Sequence, residues 1–246
     1  MLIAHISDFH VFADAPESSL VRKDAADAAR KVVADIAEHQ PAFDAVIFTG
    51  DLADGGSAED YDLLGEILAP LSMPVLVIPG NHDNREKMRI AFEATVPFEA
   101  GQYLDYETYI GDLRILALDT LVPDEVYGAL RANQINWLES KLAKHHSGPT
   151  IIAMHHPPFP SGVTAYDDIS LKGGKEPFGR IVAAYAAPLT ILAGHIHRPF
   201  QAIWSGAFCQ VGGGPSFQHA LDLRPDSPDP GGASEPYAYL VLCFDG

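Results

Sequence analysis

Five short apolar runs, rich in β-branched residues, each end in Asp, Asn or His. Residues 2–6 lead into Ser7-Asp8-Phe9-His10, and 45–48 lead to Gly50-Asp51. Residues 75–78 precede Gly80-Asn81-His82-Asp83, residues 150–154 run into His155-His156-Pro157-Pro158, and 189–192 precede Gly194-His195-Ile196-His197. Runs of this length and composition, together with 115–118, are expected to be buried strands. Between them apolar residues recur at helical spacing: Val21, Ala25, Ala28, Val32, Val33 and Ile36, and later Ile135, Leu138 and Leu142. Strand alternating with helix implies parallel pairing and an α/β layer architecture. In an open sheet of that kind the loops leaving the C-terminal strand ends converge on one edge, so five strands would deliver polar side chains to one rim.

After about Gly194 the helical spacing stops. Strand-like pieces follow at 200–204, 208–211 and 237–244, separated by Gly- and Pro-rich stretches, of which 227–236 reads as a surface crossing. No repeat or interdomain linker is visible, and 47% hydrophobic residues are ample for one large core. A single domain over 1–246 is therefore expected.

Thirty-three acidic against 16 basic side chains give a formal charge of -17, which argues against a nucleic-acid polymer or an anionic membrane surface as partner. No apolar run approaches the roughly 20 residues that span a bilayer. Cys209 and Cys243 are too few for a disulfide framework. The N-terminus reads straight into a strand, without the basic and apolar regions of a secretory leader. These features lead to an expectation of the cytoplasm.

Asp8 and His10, one residue apart, would point the same way in an extended segment and could reach one cation, and His195 and His197 share that spacing. A pair of ions needs a shared ligand, a role that suits the two oxygens of Asp51. Asn81 would add a neutral oxygen. His and carboxylate without thiolate favour manganese, iron or zinc. Singly, a strand-end Asp is more often a cap or turn former, and a lone His is more often structural. Five such coincidences at one edge are hard to explain that way.

In their order and spacing these five segments resemble the signature of the calcineurin-like metallophosphoesterase superfamily. The Asn81-His82-Asp83-Asn84-Arg85 and His-His-Pro-Pro segments are most similar to bacterial class III cyclic nucleotide phosphodiesterases and their glycerophosphodiesterase relatives. The resemblance implies a four-layer αββα sandwich holding two divalent or trivalent metal ions. Asp8, His10 and His197 would hold one ion, Asn81, His155 and His195 the other, with Asp51 bridging. Within His155-His156 the family pattern favours His155 as ligand. His82 matches the histidine that contacts the phosphate and protonates the leaving oxygen.

The implied reaction is hydrolysis of a phosphodiester, a 3',5'-cyclic nucleotide such as cyclic AMP or another small diester, by a hydroxide bridging the ions. Phosphomonoesterase, nucleotide pyrophosphatase and, on loss of ligands, non-catalytic scaffold are the alternatives, and relatives often form homodimers. The charge count also fits. Two divalent ions contribute about +4, Asp8, Asp51 and a hydroxide remove about three, and a site of roughly +1 can accept an anionic phosphate despite the acidic chain. The departure from the family pattern is Phe9, where small or hydroxyl residues are common; its side chain is expected to point away from Asp8 and His10.

Other polar residues read less sharply. Asp54 and Asp83 fit either orientation of ligand histidines or a turn. His5 is expected to be a hydrogen-bonded core residue, and His39, His145 and His146 to be solvated. The run 212–216 lacks the lysine and helix of a phosphate-binding P-loop and reads as a tight loop near the site. His219, Asp222, Tyr166, Phe217 and Tyr237 are candidate substrate contacts.

Overall fold

The computed structural model describes residues 1–17, 20–224 and 231–245. Two sheets carry the fold. In the first, β14 (Leu240–Cys243), β1 (Leu2–Ile6), β2 (Ala45–Phe48) and β3 (Val75–Val77) lie in that order. The second runs β10 (Phe200–Trp204), β11 (Ala207–Val211), β9 (Leu189–Ala193), β7 (Thr150–Met154), β5 (Leu113–Leu118) and β4 (Tyr106–Ile110). Two small ladders pair β6 (Gly128–Ala129) with β8 (Leu171–Gly173), and β12 (Gln218–His219) with β13 (Gly232–Ala233). The helices are α1 (Ala25–Glu38), α2 (Ala58–Leu68), α3 (Arg85–Phe92), α4 (Ala132–Leu142), α5 (Thr164–Asp167) and α6 (Lys175–Ala184).

Alternation along the second sheet separates its two faces. Ile115, Ala117, Ile151, Ala153 and Leu192 join the core of the first sheet, while Leu116, Leu118, Ile152, Met154 and Ile191 pack with Ile135, Leu138, Phe178 and Val182 of α4 and α6. On the far side, α1 buries Ala29, Val32, Val33 and Ile36, and α2 buries Tyr61, Leu64, Ile67 and Leu68. The result is the four-layer αββα sandwich. Each buried Val, Leu or Ile contributes roughly 1.5–3 kcal/mol relative to exposure, so two double-faced sheets supply most of the driving force.

The five strands that end in polar residues therefore belong to two stacked sheets, not to one edge. The contiguous apolar runs of β5 and β7 reflect burial on both faces, which a run cannot distinguish from any other buried strand. Pairing is parallel through β1-β2-β3 and β11-β9-β7-β5, as expected from the alternation, but β14, β10 and β4 add antiparallel edges. The first helix begins at Ala25 rather than Val21. Only Leu240–Cys243 of the stretch 237–244 is strand. Among the described residues no helix follows β9, as expected. Of the crossing 227–236, residues 227–230 lie outside the described residues, and Gly232–Ala233 pairs with Gln218–His219. No helix among the described residues is long and apolar enough to cross a membrane.

Four helices, α2, α3, α5 and α6, went unpredicted, and the first two bear on the site. α2 is opened by a capping box in which Ser57 Oγ accepts the Asp60 N–H at 3.0 Å and Asp60 Oδ2 accepts the Ser57 N–H at 3.0 Å, worth about 1 kcal/mol. α3 starts from Asn84, whose Oδ1 accepts the Lys87 N–H at 3.1 Å. This places α3 directly behind the Asn81-His82 loop.

Candidate metal centre

The loops leaving β1, β2, β3, β7 and β9 meet where the two sheets abut. Backbone bonds hold them in register: the Asp8 N–H donates to the Gly50 carbonyl at 3.0 Å, the His10 N–H to Asp51 at 3.0 Å, and the Gly194 N–H to His155 at 2.9 Å. Across the sheets the His195 N–H reaches Asp8 Oδ1 at 3.0 Å and Oδ2 at 3.1 Å. These approaches leave no space for a Cβ at two positions. One built on Gly194 would lie 2.7 Å from Asp8 Oδ2, and one on Gly50, where φ is +95°, would lie 2.7 Å from His155 Cγ.

The Asp8/His10 and His195/His197 pairs converge for a reason other than the extended geometry expected of them. Asp8, His10, Asp51, His195 and His197 all have positive φ, at 58°, 45°, 51°, 75° and 47°. Left-handed backbone at a non-glycine residue costs roughly 1–3 kcal/mol and persists only where the surroundings enforce it. Five cases in one cluster mark the place where the fold spends stability on side-chain direction.

The candidate ligand atoms fall into two sets on either side of Asp51. Asp8, His10, Asp51 and His197 bring one atom each within 4.8 Å of one another. His10 Nε2 lies 3.4 Å from Asp51 Oδ2 and 3.1 Å from His197 Nε2, which is itself 3.4 Å from Asp8 Oδ1. On the other side His155 Nε2 is 3.2 Å from Asp51 Oδ2, 3.2 Å from Asn81 Oδ1 and 3.2 Å from His195 Nδ1. Asp51 Oδ2 thus faces both sets, while its Oδ1 accepts the His82 N–H at 2.9 Å.

The opposite ring nitrogen of each of these histidines is committed to an oxygen. His10 Nδ1 meets Asp54 Oδ1 at 2.8 Å, His155 Nδ1 meets the Thr49 carbonyl at 2.6 Å, His195 Nε2 meets Ile169 at 2.9 Å, and His197 Nδ1 meets Phe217 at 3.2 Å. Carbonyl and carboxylate oxygens accept, so these bonds keep a proton on the outer nitrogen, and it is the inner nitrogen, once it gives up any proton it carries, that turns a lone pair to the cluster. Lone pairs and carboxylate oxygens facing one another at 3.1–3.4 Å form a cation-binding donor set.

The titration of the cluster expresses the same demand. Burial opposes charge on His10, but Asp51 and Asp54 outweigh it and hold this imidazole up at about 10. Burial likewise opposes charge on His155, and Asp51 holds it up at about 9. Burial lowers His195 to about 3, with His155 adding to the shift, and takes His197 well below its ordinary value, with His10 adding there. Asp8 is pushed up to about 6 by burial.

His156, beside His155, brings a ring nitrogen within 4.8 Å of those of His155 and His195, but its hydrogen bonds are made outside the cluster. Its Nε2 meets the Val126 carbonyl at 3.0 Å and its Nδ1 meets Thr120 Oγ1 at 2.8 Å, so both nitrogens are engaged although the ring lies 4.5 Å from that of His195. His82 sits at the opening, its side chain 28% exposed, with Nδ1 3.0 Å from the Asp54 carbonyl. Burial would lower it, but Asp51 and Asp54 raise it above its ordinary value.

Asp54 orients His10 and touches His82. Asp83 does not orient a histidine: its carboxylate accepts the N–H groups of Leu52 at 3.2 Å, Ala53 at 3.2 Å and Gly80 at 2.9 Å, and the Tyr61 hydroxyl at 2.9 Å, tying the Asp51 loop to the Asn81 loop. His5 is a core residue with Nε2 2.8 Å from Thr49 Oγ1, and Phe9 is buried against Phe48 with ring centroids 4.5 Å apart. His145 is exposed, His39 and His146 half-buried. The 212–216 run passes beside the centre, where Ser216 Oγ donates to the Asp8 carbonyl at 2.8 Å.

Of the candidate substrate contacts, Phe217 stacks on His197 at 3.6 Å and His219 lies 5.9 Å from that ring. Tyr166 is buried with its hydroxyl on the Ala220 carbonyl at 2.8 Å, Tyr237 lies under Arg22, and Asp222 pairs with Arg224. Sequence reasoning passed over Thr49, Phe217 and Ile169 as orienting groups, since they act through backbone carbonyls that any residue provides.

Fold and cluster together define an αββα sandwich with a paired His/Asp centre between its sheets. The chain belongs to the calcineurin-like phosphoesterase family, which matches residues 1–199. It is 33% identical over 227 residues to a probable glycerophosphodiester phosphodiesterase, GpdQ, of Arcobacter nitrofigilis, covering 92% of this chain and 83% of that protein. It is 33% identical over 205 residues to the 3',5'-cyclic adenosine monophosphate phosphodiesterase CpdA of Escherichia coli K12, covering 83% of this chain and 72% of that one. Among solved structures, a purple acid phosphatase from yellow lupin superposes with a TM-score of 0.67 at 15% identity, over 98% of this chain and 48% of the lupin chain, which is about twice as long.

Proposed function

We propose that this chain is a binuclear metal-dependent phosphodiesterase acting on a small diester, foremost a 3',5'-cyclic nucleotide. The observation that carries the reading is Asp51 Oδ2 standing between two sets of inward-aimed donors. Asp8, His10 and His197 would hold one ion and Asn81, His155 and His195 the other, with Asp51 shared. The donor chemistry fits manganese, iron or zinc. When bound, such ions polarise a phosphate and activate water at neutral pH. The fixed tautomers of the four histidines keep the donors pointing inward, Asp54 holds His10, and Asp83 holds the two loops in register. His82, raised in pKa and partly open to solvent, is placed to contact a phosphate and give a proton to the departing oxygen.

Of the relatives named above, one is a cyclic AMP phosphodiesterase and one a probable glycerophosphodiester phosphodiesterase, which supports a diester as substrate. A phosphomonoesterase or nucleotide pyrophosphatase would use the same donors. A scaffold is disfavoured because no donor of either set is lost. Metal analysis of the purified protein, followed by turnover of bis(p-nitrophenyl) phosphate, p-nitrophenyl phosphate and cyclic AMP side by side, tests the reading. Hydrolysis of the diesters is expected; preference for the monoester, or inactivity with two ions per chain, would count against it. We propose the cytoplasm as its compartment, with which two cysteines kept as thiols are consistent.

Metal loading should release protons. At pH 7 His10 and His155, held at about 10 and 9, carry protons that a cation must displace. About two protons per chain are therefore expected on loading, and affinity should weaken as pH falls. Titration calorimetry in two buffers of different ionisation enthalpy measures this directly. Identical apparent enthalpies in both buffers would contradict it.

A further inference from the structure

A cavity of about 640 Å³ lies against α3 and the loops flanking β6, walled by none of the residues of the centre and not used by the chemistry above. Its walls include Arg85, Arg89, Arg131, Tyr103, Leu121 and Val122. In a chain with 16 basic residues, three arginines around one hollow are a concentration of cations. They do not make an anion site, however. Arg85 is bonded to Asp119 at 2.6 and 2.8 Å and Arg131 to Asp105 at 2.5 Å, and Glu86 also lines the cavity, so three carboxylates balance three guanidinium groups. What the arginines present is planar surface and donors. Arg131 lies over the Tyr103 ring, 3.3 Å from its centroid, and Arg85 lies 5.1 Å from it. Arg89 is held through one nitrogen, Nη2, on the carbonyls of Glu99, Gly101 and Tyr103. Among the described residues no acceptor engages its Nε or Nη1.

A neutral, pre-ordered arginine–tyrosine platform with an apolar wall and a free donor edge fits an uncharged aromatic heterocycle. Arginine and aromatic planes stack on nucleobases, and an arginine fork donates to their acceptor edge. The position suits one end of a substrate held at the centre. Leu121 and Ala129, both cavity walls, adjoin Thr120 and Gly128 in the chain. Thr120 Oγ1 bonds His156 at 2.8 Å, and the His156 ring lies 4.5 Å from His195 and 4.8 Å from His155. The buried Thr120 and His156 thus form the partition between the cavity wall and the histidine cluster, and the rim they share is the α3 entrance, where Arg85 on the cavity wall follows the part-exposed His82 by three residues. Resting on the phosphodiesterase reading, we propose that this cavity seats the base of a nucleotide whose phosphate lies at the metal centre.

Val122 is half-buried on the cavity wall and outside the centre, so Val122→Trp fills the hollow with little burden on folding. With Val122→Trp, kcat/KM for cyclic AMP is expected to fall about tenfold or more, through KM, in line with the loss of one stacked base. Glycerophosphoethanolamine, a diester without an aromatic group, should be hydrolysed as by the unaltered chain. Equal losses on both, or none on either, would overturn the proposal. An arm independent of turnover uses adenosine, which lacks a phosphate: saturation-transfer NMR should detect its binding to the unaltered protein and not to Val122→Trp. Adenosine should also inhibit cyclic AMP hydrolysis competitively. No adenosine binding overturns the base site whether or not the protein hydrolyses diesters, and non-competitive inhibition overturns its link to the substrate.

Discussion

Asp51→Ala is expected to abolish turnover, lowering kcat by about a thousandfold or more, because a carboxylate shared by two ions, the role proposed for Asp51, would be worth several kcal/mol of transition-state stabilisation. The same change should reduce bound metal from two ions per chain to one or fewer. Asp51 Oδ2 is within 3.4 Å of His10 Nε2 and 3.2 Å of His155 Nε2, so no neighbouring group can take over both contacts. Its Oδ1 also accepts the His82 N–H, so removal loosens the loop that carries Asn81 and His82. Asp51→Asn keeps that shape and removes the charge, and should recover little activity. Full metal content with lost activity in Asp51→Asn would show that Asp51 acts on the substrate rather than between two ions.

The second large effect is expected at His82. If this side chain protonates the departing oxygen, His82→Ala should cost about 10²–10⁴-fold for cyclic AMP, whose leaving alkoxide is a poor one. The loss for a nitrophenolate leaving group, which departs without a proton, should be less than about tenfold. Metal content should stay at two ions, since His82 Nδ1 is bonded to the Asp54 carbonyl and the ring meets His10 only edge-on, 4.6 Å between centroids, without belonging to either donor set. Equal losses on both substrates would remove the acid role and leave His82 as a phosphate-binding group.

Much of the centre is legible in the chain because its donors sit where strands end. An apolar β-branched run marks the strand, and the Asp, Asn or His that stops it marks the rim. The way those donors converge is not legible. Positive φ at Asp8, His10, Asp51, His195 and His197 has no residue signature, and an extended reading reaches a similar grouping by a mistaken geometry. The division into two sheets is hidden for a related reason: Ile115 and Leu116 face opposite cores, yet both are simply apolar in sequence. In sequence Asp83 fits orientation of a ligand histidine as well as a turn, and only its position between Gly80, Leu52 and Ala53 reveals what it joins. The arginine-lined cavity is assembled from α3, the loop before β4 and the loops flanking β6, so no local motif announces it.

Anomalous diffraction at the manganese edge from crystals grown with that ion tests the centre most directly. Two peaks are predicted, on either side of Asp51 Oδ2, one bounded by Asp8, His10 and His197 and the other by Asn81, His155 and His195. A single peak, or density bound to other side chains, would contradict the assignment.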